Sequence, residues 1–134
     1  MLSNNSNTMF HEDAPTRNEK LDALAKLIPE LKRIIGNDED KFDANALKLF
    51  ITDIDNLSVH ANRYLSGLCR SDHQGKSILL INAMLEYYNV LELDITQPNK
   101  EGRCAIDYAN QAIRHHFDMF MENYTKNIYA GNRY

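Results

Sequence analysis

The sequence predicts an all-α fold, a single-domain bundle of four to six helices. Apolar residues recur at three- and four-residue spacing in four long segments, the mark of helices with one buried face. No segment alternates apolar and polar residues with the period of two that a half-buried strand needs. The stretch 78–93 is apolar except for Asn82, Glu86, Asn89 and Glu92, spaced four, three and three. At 3.6 residues per turn those four draw one narrow polar lane, so the rest of that helix must be covered. The bundle is therefore expected to assemble around 78–93, with Leu80, Leu85 and Leu91 in its core.

Taken in order, residues 1–15 are rich in Asn and Ser and read as a flexible N-terminal arm, with Met9 and Phe10 the residues that could pin it. Thr16 and Glu19 form a capping-box pattern that starts the first helix. Its stripe is Leu21, Leu24, Ile28, Leu31 and Ile35, widened by Leu27 and Ile34. Pro29 falls on the opposite side and should kink the helix or start a second one, and Gly36 ends it. A second helix of about 25 residues is expected from Asp43 or Asn45 to Leu68, on the lane Leu47, Phe50, Ile54, Leu57, Ala61, Tyr64 and Leu68. Val59 falls off that lane. Residues 70–75 read as a turn, with Ser77 capping the central helix. Residues 96–102 read as a loop. The last helix should run from about Arg103 to Asn123, with Ile106, Ala109, Ile113, Phe117, Phe120 and Tyr124 inward. The helical domain is thus 16–128, and 129–134 is a tail.

The chain has 134 residues, 43% hydrophobic and 25% charged, which is one domain of ordinary globular composition. Its formal net charge is −4 and it has no run of Lys and Arg, which argues against nucleic acid and anionic membranes as partners. No apolar run approaches the ~20 residues a bilayer crossing needs. The first residues lack the basic and apolar blocks of a signal peptide. Two cysteines, Cys69 and Cys104, suit a reducing compartment better than a disulfide scaffold, so a cytoplasmic protein is expected.

Two turn-to-helix junctions look alike. One reads Asp72-His73-Gln74-Gly75-Lys76-Ser77-Ile78-Leu79, the other Asn99-Lys100-Glu101-Gly102-Arg103-Cys104-Ala105-Ile106-Asp107-Tyr108-Ala109. Both resemble the entry of an ankyrin repeat, and the resemblance implies a degenerate ankyrin-like helical pair that binds protein without catalysis. The glycines are 27 residues apart, against about 33 per ankyrin repeat. A plain bundle with similar turns is the other reading of the same residues. The small, Asn-rich helical chain is also similar in style to translocated effectors, or regulators of effectors, of intracellular bacterial pathogens. That resemblance implies delivery into a host cell as a second location.

Few residues invite chemistry. The acidic connector 37–41 has no Gly at the sixth place of a calcium loop, and Leu49 stands where its bidentate Glu belongs. There is no His-x-x-x-His or Cys-x-x-Cys pair, so neither a metal nor another cofactor is expected. Gly75-Lys76-Ser77 has the tail of a phosphate loop without its earlier Gly. Cys104 is the candidate nucleophile, near a predicted helix N-terminus beside Arg103, with His73 as the one imidazole that could reach it. The plainer reading makes Cys104 a small residue in a cap position.

Tyr108, Ala112, His115 and Met119 form a second lane on the predicted last helix, about 160–200° from the inward one. A helix apolar on two faces is covered either by its own domain or by another chain. The expected function is a non-enzymatic protein-protein interaction module, an adaptor or inhibitor, meeting a partner protein or a second copy of itself through that lane. The alternative is a cysteine-dependent hydrolase or transferase using Cys104.

Overall fold

In a computed structural model, residues 15–132 are described apart from Asp43, with side chains described as far as Glu122. The chain is all-helical, and no strand occurs among these residues. Its helices are α1 (Arg17–Ile35), α2 (Ala44–Thr52), α3 (Leu57–Cys69), α4 (Gln74–Glu86) and α5 (Gln111–Asn132). Short 3-10 turns occupy Glu39–Lys41, Ile54–Asn56 and Ala105–Tyr108. The expected arm, the Asp43 cap and the side chains of Tyr124 and of the tail lie outside the described residues.

The start of α1 is the predicted box: Glu19 N donates to Thr16 Oγ1 at 3.1 Å, and Thr16 N donates to Glu19 Oε1 at 3.0 Å. The helix continues unbroken through Pro29, which is exposed, and stops at Gly36 with a positive φ of 58°. It buries Ala23, Leu24, Leu27, Leu31 and Ile35. Leu21, expected on this stripe, is 45% exposed. The stripe ends one turn short of the capping box, where the helix has run past the core.

Lys76, from α4, finishes the other end of α1. Its Nζ donates to Ile35 O at 3.0 Å and to Asp38 Oδ2 at 2.6 Å. A cation on the last carbonyls of a helix satisfies an orphan acceptor and opposes the negative end of the dipole. The residue that resembled a phosphate-loop lysine thus joins two helices.

The single long helix expected over 43–68 is two. It breaks at Asp53, between α2 and the 3-10 turn at Ile54–Asn56. No Gly or Pro stands there, but Thr52, Asp53, Asp55 and Asn56 have short polar side chains that compete with helical backbone bonds. Thr52 Oγ1 donates to Lys48 O at 2.7 Å, and Asp53 Oδ2 accepts from Asn56 Nδ2 at 2.9 Å. His60 Nε2 lies 2.9 Å from the same oxygen, so α3 is tied to the break that precedes it.

α4 is the covered element. It packs against α1, α3 and α5 and buries Ser77, Leu80, Ile81, Ala83, Met84 and Leu85. Its helix begins at Gln74, so Ser77 lies inside it, fully buried, rather than at its cap. It also ends at Glu86, not Leu93. Tyr87, Tyr88, Asn89 and Val90 are poor helix formers, and the chain there turns, with Leu93 N donating to Tyr88 O at 2.9 Å. Glu92 takes a left-handed φ of 53° and pairs with Lys20 of α1 at 2.9 Å. Leu91 is still buried, as expected, because the turn folds it back onto the core. Leu79 is 56% exposed. Spaced three and seven residues before Asn82 and Glu86, it belongs to the solvent lane despite being apolar.

Leu80→Ala should cost about 2–5 kcal/mol in urea unfolding, since a fully buried side chain would leave a cavity at the crossing of three helices. A loss below about 1 kcal/mol would remove α4 from the centre.

The hydrogen bond from His60, then that from Asn56, holds the Asp53 carboxyl below its usual 3.8. A carboxylate with a lowered folded-state pKa stabilises the native state above the unfolded value, and that stability is lost as pH falls through the folded one. Asp53→Asn should therefore lower the melting temperature at neutral pH, and the gap to the parent should close in acid below that range. A gap that stayed constant from neutral to strongly acidic pH would contradict the assignment.

Candidate functional site

The last predicted helix is also two elements, and this changes where its residues face. The chain forms a 3-10 turn at Ala105–Tyr108, passes through extended Ala109, and begins α5 at Gln111. Asn110 caps α5 by accepting Ile113 N on Oδ1 at 2.9 Å. The inward residues of α5 are then Ile113 and Phe117, both buried, flanked by half-buried His116 and Phe120. Phe120 meets Tyr88 edge-on, with ring centroids 5.7 Å apart.

Ala112, His115 and Met119 lie on the opposite, exposed side of α5, with Met119 48% exposed. Tyr108, expected in the same lane, stands on the preceding turn and faces α3. Its ring lies under the Arg70 guanidinium, 4.9 Å from Cζ to the centroid, and its hydroxyl accepts from Asn99 Nδ2 at 2.7 Å. The outward lane of α5 is therefore three residues, continued toward the core by His116 and Phe120.

Tyr108 instead closes one end of a groove of about 790 Å³ between α3 and the loop 98–101. Asn99 builds that loop. Its Oδ1 accepts from Glu101 N at 2.8 Å and from Arg103 N at 3.0 Å, and its own N–H donates to Arg103 O at 2.8 Å. Gly102 completes the turn at a φ of 78°, which favours glycine. On the other side, buried Asn62 accepts Ala105 N on Oδ1 at 2.7 Å, which fixes the 3-10 turn to α3. Sequence reasoning passed over Asn62 and Ser66, and read Asn99 only as part of a loop and of the second turn-to-helix junction. The available signal was two polar residues beside the inward lane Ala61, Leu65 and Leu68.

Cys104 sits at the start of the four-residue 3-10 turn, and the helix whose dipole was expected to act on it begins seven residues later. Its partner is the Asp107 carboxylate: Oδ2 accepts Cys104 N at 2.9 Å and the thiol at 3.4 Å. His73 is exposed, with its ring edge-on to Phe42 at 5.9 Å. Cys69 is buried, and burial pushes its thiol up to about 12. Among the described residues no His, Cys, Asp or Glu side chains group as a metal site, and no helix is long and apolar enough to cross a membrane.

The sequence matches no family model, no curated protein and no solved structure.

The cap at Cys104 makes separable predictions. Asp107→Ala should lower unfolding free energy by about 1 kcal/mol, whereas Cys104→Ser, which keeps a donor for the carboxylate, should stay within about 0.5 kcal/mol. A Cys104→Ser protein that melts normally but has lost its cellular activity would contradict the structural role.

Proposed function

We propose that the protein is a non-enzymatic interaction module, an adaptor or inhibitor that works by covering another protein. The observation that carries this is the division of α5 into two faces. One face buries Ile113 and Phe117 against the body; the other presents Ala112, His115 and Met119 to solvent. An apolar and aromatic strip on an exposed helix is the kind of surface a partner covers, with Met adapting its shape and His supplying a polar edge. The strip is supported by a helix of 22 residues, about 33 Å long, so it is presented on a rigid element. The hydrogen-bonding of Cys104 to Asp107 supports the same reading over a cysteine enzyme. Two free cysteines suit the reducing compartment that the reading assumes.

The test is Ala112→Glu with Met119→Glu, followed by thermal melting, light scattering and affinity capture from the source cell with hydrogen-exchange mapping of the captured complex. The melt should be unchanged within the scatter of surface substitutions, about 0.5 kcal/mol. Capture should be lost, and protection in the parent complex should fall on α5. A second copy as the partner would instead give a dimer that the same variant dissociates. Capture that survives the double substitution, or protection away from α5, would overturn the proposal.

A further inference from the structure

Two imidazoles and a thioether come together on α5 in a pattern that neither the core nor the Cys104 cap uses. The rings of His115 and His116 lie edge to face, with centroids 5.9 Å apart and planes at 72°. Among the described residues, neither ring makes a hydrogen bond or an ion pair. His115 is exposed and His116 half-buried, so both can be reached from solvent.

The separation of the rings is the first argument for a ligand. At metal–nitrogen bonds of about 2 Å, two imidazoles on one ion hold their centroids about 5–6 Å apart. The rings therefore need only turn, without moving apart, to share an ion. Helix geometry supplies a third donor independently of the rings. Met119 follows His116 by three residues and His115 by four, so it neighbours both on the helix surface. Long helical side chains lie back over the preceding turn, which brings an exposed Met119 thioether toward the two rings.

The donor set selects the metal. Imidazole suits zinc, copper, iron and nickel alike, whereas a thioether selects Cu(I). Zinc would draw on a further thiolate, carboxylate or imidazole. Among the described residues no third His, Cys, Asp or Glu joins the pair. Half-buried Phe120, four residues on from His116 and edge-on to Tyr88, adds an apolar wall on the core side. Restricted hydration there favours a soft, singly charged ion over a strongly hydrated one.

We propose that His115, His116 and Met119 bind one Cu(I) ion on the outer side of α5, through two imidazole nitrogens and the thioether sulfur. The site shares side chains with the partner-binding strip but does not rest on that reading.

The probe is Cu(I) itself, supplied without oxygen as its coloured ferrozine complex to the untagged full chain. Cys104→Ser is the test protein, because the half-buried Cys104 thiol is another soft donor. It should withdraw one equivalent of Cu(I), and X-ray absorption should show nitrogen and one sulfur around the metal. Adding Met119→Leu, at an exposed position, should leave the melt unchanged and weaken binding at least about tenfold. His116→Gln should weaken it by at least as much, and Zn(II) should bind less tightly than Cu(I). No withdrawal of Cu(I), unaltered affinity in Met119→Leu, a metal without a sulfur neighbour, or tighter binding of Zn(II) would each overturn the proposal. All of these readings use the isolated chain, so the metal site can fail while partner capture by α5 survives, and the reverse.

Discussion

Covering α4 is the requirement on which the rest of the fold depends. A helix that buries Leu80, Ile81, Ala83, Met84 and Leu85 presents apolar surface over most of its circumference, and no single neighbour can hide it. Three helices do so. α1 brings Leu24, Leu27 and Leu31, α3 brings Leu65 and Leu68, and α5 brings Ile113 and Phe117. Polar contacts then fix how these layers meet. Lys76 reaches from α4 to the end of α1, Lys20 of α1 pairs with Glu92 beyond α4, and Asn62 of α3 holds the turn that leads into α5. Each polar tie reaches between elements that the apolar packing has already brought close.

That division also decides which helix faces are left at the surface. The face of α5 turned toward α4 is committed to the core, so Ala112, His115 and Met119 have nothing to bury against within the described residues. Exposed Arg63 on α3, and Arg70 in the turn that follows it, likewise stand outside the core. Cys104 is engaged in holding a turn through its hydrogen bonds to Asp107.

The helical class and the core of the central stretch were legible because they rest on periodicity, and Leu80, Leu85 and Leu91 are all buried. The capping box at Thr16 and the stop at Gly36 were legible because each is a local pattern with one mechanism. The breaks at Asp53, Tyr87 and Ala109 were not. An apolar lane at three- and four-residue spacing continues across each, and the bonds that interrupt it belong to Asp53, Asn110 and the turn at 87–93, whose geometry is settled in three dimensions. Misplacing the start of α5 carried Tyr108 into the wrong lane and hid the groove. The groove itself needs Asn99 to fold the 98–101 loop over α3, a contact between residues far apart in sequence.

Native-state hydrogen exchange tests most directly the claim that α4 is the covered axis. Local openings spare the most deeply packed elements, so the amides of Leu80, Ile81, Met84 and Leu85 should exchange only through global unfolding. Their opening free energies should equal the value from denaturant unfolding, and those of α2, at the edge of the bundle, should be lower. Exchange of the α4 amides through a sub-global opening, while α1 or α2 remains protected, would contradict the account.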